Sequence, residues 1–320
     1  QDAVTAAKAG DVIWIHDGFV CEPASDADWI GSGGSSKSHF KIGKSVTLRS
    51  VSGDARDAEN PPRLRGKYHD EASGTIIGDN AIRPLEASAG VVLKGLVFEH
   101  GAHNNQYGYM AAAIYGTGYT LDKCIVRDCH SKRSILSTGI TVTDCVISNN
   151  TAGITGGAKL TVTGTLFTNN VTHTESNGYG ASITLNAETD QGSVISNCLF
   201  TGNDARTGGG ICNQKTTPVL VVDCRFEGNC ARERGGAYCG GGILSNCVFS
   251  GNWTYHDAGN YKGEGGAIYG CDNVGACVLY DCVVTNNSTR YVSSANGGGL
   301  YQATAFNCLI ADNDAQGEGG

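Results

Sequence analysis

One short pattern recurs along the chain at spacings of 20 to 35 residues: Asp or Asn, Cys, an apolar residue, Phe/Val/Ile, a variable residue, Gly/Asn/Asp, and Asn. Its clearest copies are Asn197-Cys198-Leu199-Phe200-Thr201-Gly202-Asn203, Asp223 to Asn229 and Asn246 to Asn252. Looser copies start at Asp144, Asp281 and Asn307. Lys123 to Cys129 carries cysteine in the last place, Gly164 to Asn170 has Thr165 for the cysteine, and Leu96-Val97-Phe98 is an earlier copy without one. A period near 20 with variable excess suits a coil of short strands joined by loops of unequal length, and not the more uniform helical repeats. A second motif lies between the copies: two small residues, an apolar one, then Tyr or Cys, as in Gly209-Gly210-Ile211-Cys212 and Gly266-Ala267-Ile268-Tyr269. Each repeat therefore holds at least two strands divided by Asn- and Gly-rich turns.

Alternation along a strand assigns directions. With Cys198 and Phe200 inward, stacking puts like above like and predicts a cysteine row, a Phe/Val/Ile row and an asparagine row (Asn150, Asn170, Asn203, Asn229, Asn252, Asn287, Asn313). Composition agrees: 47 glycines, 5 prolines, 40% hydrophobic and 17% charged residues describe many short strands and turns, not a disordered chain. The expected fold is all-β, a single-stranded right-handed parallel β-helix (solenoid) with a short N-terminal capping helix. It is one domain over 1–320: cap and first strand over 1–20, early coils with long insertions over 21–95, and regular coils over 96–320. Val46-Thr47-Leu48-Arg49 and Thr75-Ile76-Ile77 are expected as early rungs. The last repeat breaks off at Gly320 and no signal peptide opens the chain, so the signal and anchor regions are expected outside this segment.

The net charge of −8 without a Lys/Arg stripe argues against nucleic-acid binding, and no apolar run is long enough to span a membrane. Fourteen cysteines would ordinarily indicate a disulfide scaffold. Seven of them share one inward row (Cys124, Cys145, Cys198, Cys224, Cys247, Cys282, Cys308), where parallel Cα–Cβ vectors disfavour bridging. Cys271 and Cys277, six apart around a turn, are the better placed pair for a bridge.

The Gly265-Gly266-Ala267-Ile268 and Phe200-Thr201-Gly202-Asn203 motifs resemble the repeats of polymorphic outer-membrane proteins, which are autotransporter-like surface adhesins. The run Ala3 to Asp11 with Val46 to Ser50 is similar to the wider set of pectin-lyase-like β-helix proteins, many of them surface-anchored. The resemblance implies a bacterial secreted or cell-surface protein. It is specific for the fold and weak for function, because this scaffold carries lyases, hydrolases, isomerases and adhesins alike.

No strong catalytic motif is present. A uronate lyase needs a cation or Ca²⁺ and a base on outward positions of neighbouring coils. The best cluster is Lys123, Arg127 and His130, with Lys132, Arg133, His100 and His103 nearby. Glu188 with Asp190 and Asp312 with Asp314 form no recognisable calcium loop, so no metal site is assigned. Asp257 and Glu264 are candidate carboxylates for glycoside hydrolysis, and Arg225 with Glu227 reads as a surface ion pair. For ligand binding, Trp253, Tyr255, His256 and Tyr261 lie on a predicted protruding loop over Trp253 to Lys262, where aromatics can stack on sugar rings. An outward apolar row that includes Val146, Leu166, Leu199, Val248 and Val283 is a candidate lateral protein contact. The leading expectation is a non-catalytic adhesin-like or glycan-binding stalk that meets a polysaccharide or host-cell glycan. The alternatives are a polysaccharide lyase or glycoside hydrolase, and a structural rod or filament subunit.

Overall fold

The corners of each coil are set by residues that tolerate a left-handed backbone. Every cysteine of the repeat follows a residue with φ between +51° and +55°: Lys123, Asp144, Asn197, Asp223, Asn246, Asp281 and Asn307. Every repeat asparagine likewise follows a left-handed residue, with φ between +53° and +65°, either Asn or Asp (Asn149, Asn169, Asn286, Asp312) or Gly (Gly202, Gly228, Gly251). Asn, Asp and Gly enter this region at least cost. A left-handed residue turns the chain sharply, and the next residue then points into the coil.

The computed structural model describes residues 2–21, 37–66, 69–70, 75–76, 82–103, 111–131, 134–137, 139–156, 158–172, 178–186, 192–255, 263–271, 275–290, 295–317 and 319. The chain forms two compact units, Gln1–Thr155 and Gly156–Gly320. Each is built of parallel β-coils, the fold expected from the repeat.

In the first unit a short helix, Asp2–Ala6, opens the chain. Its last carbonyls lack intrahelical partners, and Lys44 Nζ supplies hydrogen bonds of 2.8 Å to the carbonyls of Thr5 and Ala7. Strands Val12–Ile15, Thr47–Ser50, Val92–Lys94, Thr120–Asp122 and Thr141–Thr143 then pair in parallel, each with its successor. Val20–Cys21, Arg63–Arg65, Val97–Glu99, Ile125–Arg127 and Val146–Ser148 do the same on the next face. Thr75–Ile76 is not a rung: it pairs antiparallel with His69–Asp70, a small ribbon within the insertion.

In the second unit a coil holds four strands, more than the two motifs revealed. One coil runs Val194–Ser196, Leu199–Thr201, Asp204–Thr207 and Ile211–Asn213, and each strand pairs in parallel with its counterpart one coil on. Register brings identical residues together. Phe167, Phe200, Phe226 and Phe249 are fully buried and stack with centroids 4.6 to 4.8 Å apart and nearly parallel rings. This spacing is the strand separation itself, so backbone pairing and offset aromatic stacking reinforce one another.

The two corner rows satisfy the polar groups that the turns bury. Asn203 Nδ2 donates to Asn229 Oδ1 at 2.9 Å and to the Phe167 carbonyl at 3.1 Å, and its backbone N–H donates to the same Asn229 oxygen at 3.1 Å. Asn229, Asn252 and Asn287 repeat this in turn. The cysteines do a lesser version. The N–H of Cys198 donates to Cys224 Sγ at 3.5 Å, and that thiol donates to the Val222 carbonyl at 3.2 Å. The buried thiols thus serve as hydrogen-bonding corner residues as well as small packing. Thr165 takes the same place, its hydroxyl donating to the Thr163 carbonyl.

All fourteen cysteines are free thiols, Cys271 and Cys277, the better placed pair, among them. The outward apolar row is less exposed than expected: Val146 in the first unit, and Leu166, Leu199, Val248 and Val283 in the second, are all half-buried. Leu309, the last residue of this row, is exposed, and the other exposed apolar side chains of the second unit include Leu220, Ile243, Tyr280 and Phe306 on another set of strands.

Candidate functional site

In the first unit the outward ends of three successive strands carry Arg65, Glu99 and Arg127, in direct register. Glu99 is 1% exposed although its strand position faces out of the coil. One of its carboxylate oxygens accepts from Arg65 Nε at 2.6 Å, the other from Arg127 Nε and Nη2 at 2.9 and 2.7 Å. Burial is the largest influence on this carboxyl and works to raise its pKa. The hydrogen bonds and charges of Arg65 and Arg127 together outweigh it, so Glu99 is held below the usual carboxylate range. The guanidiniums keep 29% and 37% of their side chains exposed. Arg127 also lies 3.7 Å from Asp128.

Lys123, a corner residue with φ of +54°, is paired as well. Its Nζ is 3.7 Å from an Asp54 oxygen that also accepts from Arg56 at 2.7 Å. The hydrogen bond from Arg56 is the main cause that holds Asp54 below its ordinary pKa. Asp54 arrives on the segment after Ser50, which crosses the corner and bonds the Lys123 carbonyl through the Ala55 N–H. Two of the three candidate catalytic residues are thus neutralised by carboxylates. His130 lies one coil above Ala102, on a short strand of its own, His130–Ser131. Lys132 and Arg133 lie outside the described residues, as does the side chain of His103.

The second unit places the other candidates. Trp253 and Tyr255 are not on a loop: Trp253–Tyr255 is a strand that pairs with Cys230–Arg234 on one side and Ser288–Arg290 on the other. The β-branched Thr254 points in and is buried, which turns both aromatic rings outward, half-buried. Arg290, opposite Tyr255, lays its guanidinium 4.8 Å from the Trp253 ring centroid and donates to Ser288 Oγ at 2.9 Å. One coil earlier, Arg206 pairs with Glu233 at 2.7 Å. The result is a strip of aromatic and charged side chains held on paired strands. His256 and Tyr261 lie outside the described residues, and so do Asp257, Glu188 and Asp190.

Glu264 is paired with Arg234 at 3.4 Å, not presented to a substrate. Arg225 and Glu227 pair with each other at the surface, as read from the sequence. Asp312 and Asp314 are exposed on either side of Asn313. Among the described residues no three His, Cys, Asp or Glu side chains are grouped to hold a metal ion. A shallow concavity of about 150 Å³ in the second unit is lined by Leu185, Ser193, Lys215, Thr217 and Pro218, with Lys215 its one titratable group. Among the described residues no helix is long and apolar enough to cross a membrane.

Sequence reasoning missed Arg65 and Glu99. Their partnership joins coils 28 to 34 residues apart, and Arg65 lies on a rung, Arg63–Arg65, that lacks the repeat motif. The signal that could have found them was register: Glu99 occupies the same strand place as Arg127.

The family model "right handed beta helix region" matches residues 137–315. Among solved structures, an alginate lyase from Paenibacillus sp. str. FPU-7 is similar at 14% identity and a TM-score of 0.43, over 98% of this chain and 95% of that one. The tailspike protein of E. coli bacteriophage HK620, solved in complex with a pentasaccharide, is similar at 13% identity and a TM-score of 0.40, over 98% of this chain and 66% of that one. No curated protein matches the chain.

Proposed function

The chain belongs to the right handed beta helix region family, and from that premise we propose that it is a bacterial secreted or cell-surface protein, adhesin-like, that binds a polysaccharide or host-cell glycan without cleaving it. The observation that carries this reading is the outward pair Trp253 and Tyr255, fixed on a paired strand beside Arg290. Flat aromatic rings on a rigid support offer stacking area to sugar rings at small entropic cost, and the neighbouring guanidinium offers donors to hydroxyl or carboxylate oxygens.

The first unit supports the same reading from the opposite side. A uronate lyase must direct positive charge at its substrate's carboxylate. Here Arg127 and Lys123 already face Glu99 and Asp54. A general base among the described candidates would be left to the histidines, His130 and His100.

The test is binding to an array of bacterial and host polysaccharides, followed by titration of any hit. Trp253→Ala and Tyr255→Ala should each weaken binding by about tenfold or more, in line with the worth of an aromatic stack. Retention of full affinity in both variants would overturn the assignment of the site. The lyase alternative has one favourable feature, the exposed third of Arg127 above a buried carboxylate. Unsaturated uronate products that vanish in Arg127→Ala would establish it in place of simple binding.

A further inference from the structure

The first unit carries a second aromatic–arginine pair, and its guanidinium differs from the others. Trp14 faces Arg49 in register on the next coil, and Arg49 faces Lys94 on the one after. The Arg49 guanidinium lies 4.4 Å from the Trp14 ring centroid. Among the described residues three other arginines stack on aromatic rings. Arg290 bonds Ser288, Arg234 pairs with Glu264, and Arg83 is buried. Arg49 pairs with no carboxylate among the described residues, and its Nε is sheltered without an acceptor. Lys94 does not share the deficit, because it is committed to Asp122.

Trp14 is 56% exposed despite the guanidinium on one face. An indole with one face covered reaches that exposure only if the opposite face is open. Val12, on the same side of the strand, and the nearby Phe19, Val20 and Val51 are exposed too. Gly53, at a positive φ of +75°, brings the backbone close beside the Arg49 Nη2. The arrangement is an apolar platform with a preoriented, uncompensated cation at its rim. Stacking fixes the plane of the guanidinium, so little freedom is lost when its fork meets a carboxylate.

We propose that Trp14 and Arg49 form a second glycan subsite that selects carboxylated sugars: a pyranose ring lies on the open indole face and its carboxylate accepts from Arg49. This rests on the glycan-binding reading above and adds the ligand class. Among the described residues the nearest carboxylate tied to this segment is Asp17, which accepts from Ser52 and not from Arg49, so a sugar carboxylate is the group that would balance Arg49.

The experiment is calorimetric titration of the full chain with oligogalacturonate and with the same oligomer methyl-esterified, which removes the charge at nearly constant size. Wild type should favour the acid form by about tenfold or more, the worth of one charge-assisted hydrogen-bonded pair. Arg49→Gln should abolish that preference, and Trp14→Ala should weaken both forms. Arg49→Lys, which keeps the charge and loses the fork, should retain only part of it and serves if Arg49→Gln fails to fold by circular dichroism. Equal affinity for the two forms in wild type, or an acid preference unchanged in Arg49→Gln, would overturn the inference. So would a preference lost in Trp253→Ala alone, which would put the anion on the second unit and leave glycan binding itself intact.

Discussion

A single asparagine in these corners does the work of several groups. Asn229 accepts the Asn203 N–H and Nδ2 through one oxygen, and gives its own Nδ2 to Asn252 and to the Phe200 carbonyl. It is fully buried, so Asn229→Ala takes a hydrogen bond from four polar groups in the coil interior. We expect a loss of about 2–4 kcal/mol in urea unfolding, more than its apolar surface would suggest. Cys224 is the weaker analogue. Cys224→Ala removes the acceptor of the Cys198 N–H and should cost about 1–2 kcal/mol, whereas Cys224→Thr should stay within about 1 kcal/mol because Thr165 already fills the equivalent place. These rows are legible in the sequence because they recur: Asn or Asp before Cys, and Gly or Asn before Asn, is the mark of a left-handed corner. The Thr75–Ile76 ribbon and the Glu99 pairing are not legible there, since both arise where insertions interrupt the repeat.

At the level of strands, the Arg65–Glu99–Arg127 column ties three coils of the first unit together. The folded-state pKa of Glu99 lies below the unfolded value of about 4.3, so its stabilisation is complete above that value and fades as pH falls through the lower folded one. Glu99→Gln should lower stability at neutral pH by about 2–3 kcal/mol. That is less than for a wholly buried pair, because both arginines are partly solvated. The variant and wild type should converge in thermal melts as pH falls below the lowered folded-state value of Glu99. Convergence at every pH would mean that the column contributes nothing. The strand Trp253–Tyr255 teaches a related point about legibility. Its aromatics stand out in the sequence, but the Thr254 alternation that makes it a strand spans only three residues, too few to tell a strand from the start of a loop.

At the scale of the whole chain, the thiols divide by burial. Cys21, Cys271 and Cys308 are half-buried and the other eleven are buried. Burial lifts the Cys129 and Cys277 thiols to about 12, and the hydrogen bond that the Cys247 thiol donates to Cys224 is the main cause that lifts Cys247 to about 12. Thiolates are the reactive form, so a disulfide reagent at neutral pH should modify three cysteines quickly and the rest only on unfolding. Fast reaction of more than three would show that the coils open locally. Because these folded-state values exceed the unfolded one of about 8.5, the stability they contribute is whole below that pH and is lost as pH rises toward 12. Melting temperature should therefore fall on the alkaline side, with a smaller fall when Cys247 is replaced by Thr.

In-register stacking also makes the second unit a sentence from which a whole clause can be removed. Excision of residues 224–246 would bring Cys247 after Asp223, lay Phe249 on Phe200, and hand the Asn252 oxygen to Asn203, the same partners by type as before. Removal of half that length, residues 224–235, would put Gly236 in the cysteine place and Tyr238 in the phenylalanine place, and break both rows there. Length in such a chain changes by integers, and a loop of any size can be added at a corner without disturbing the count.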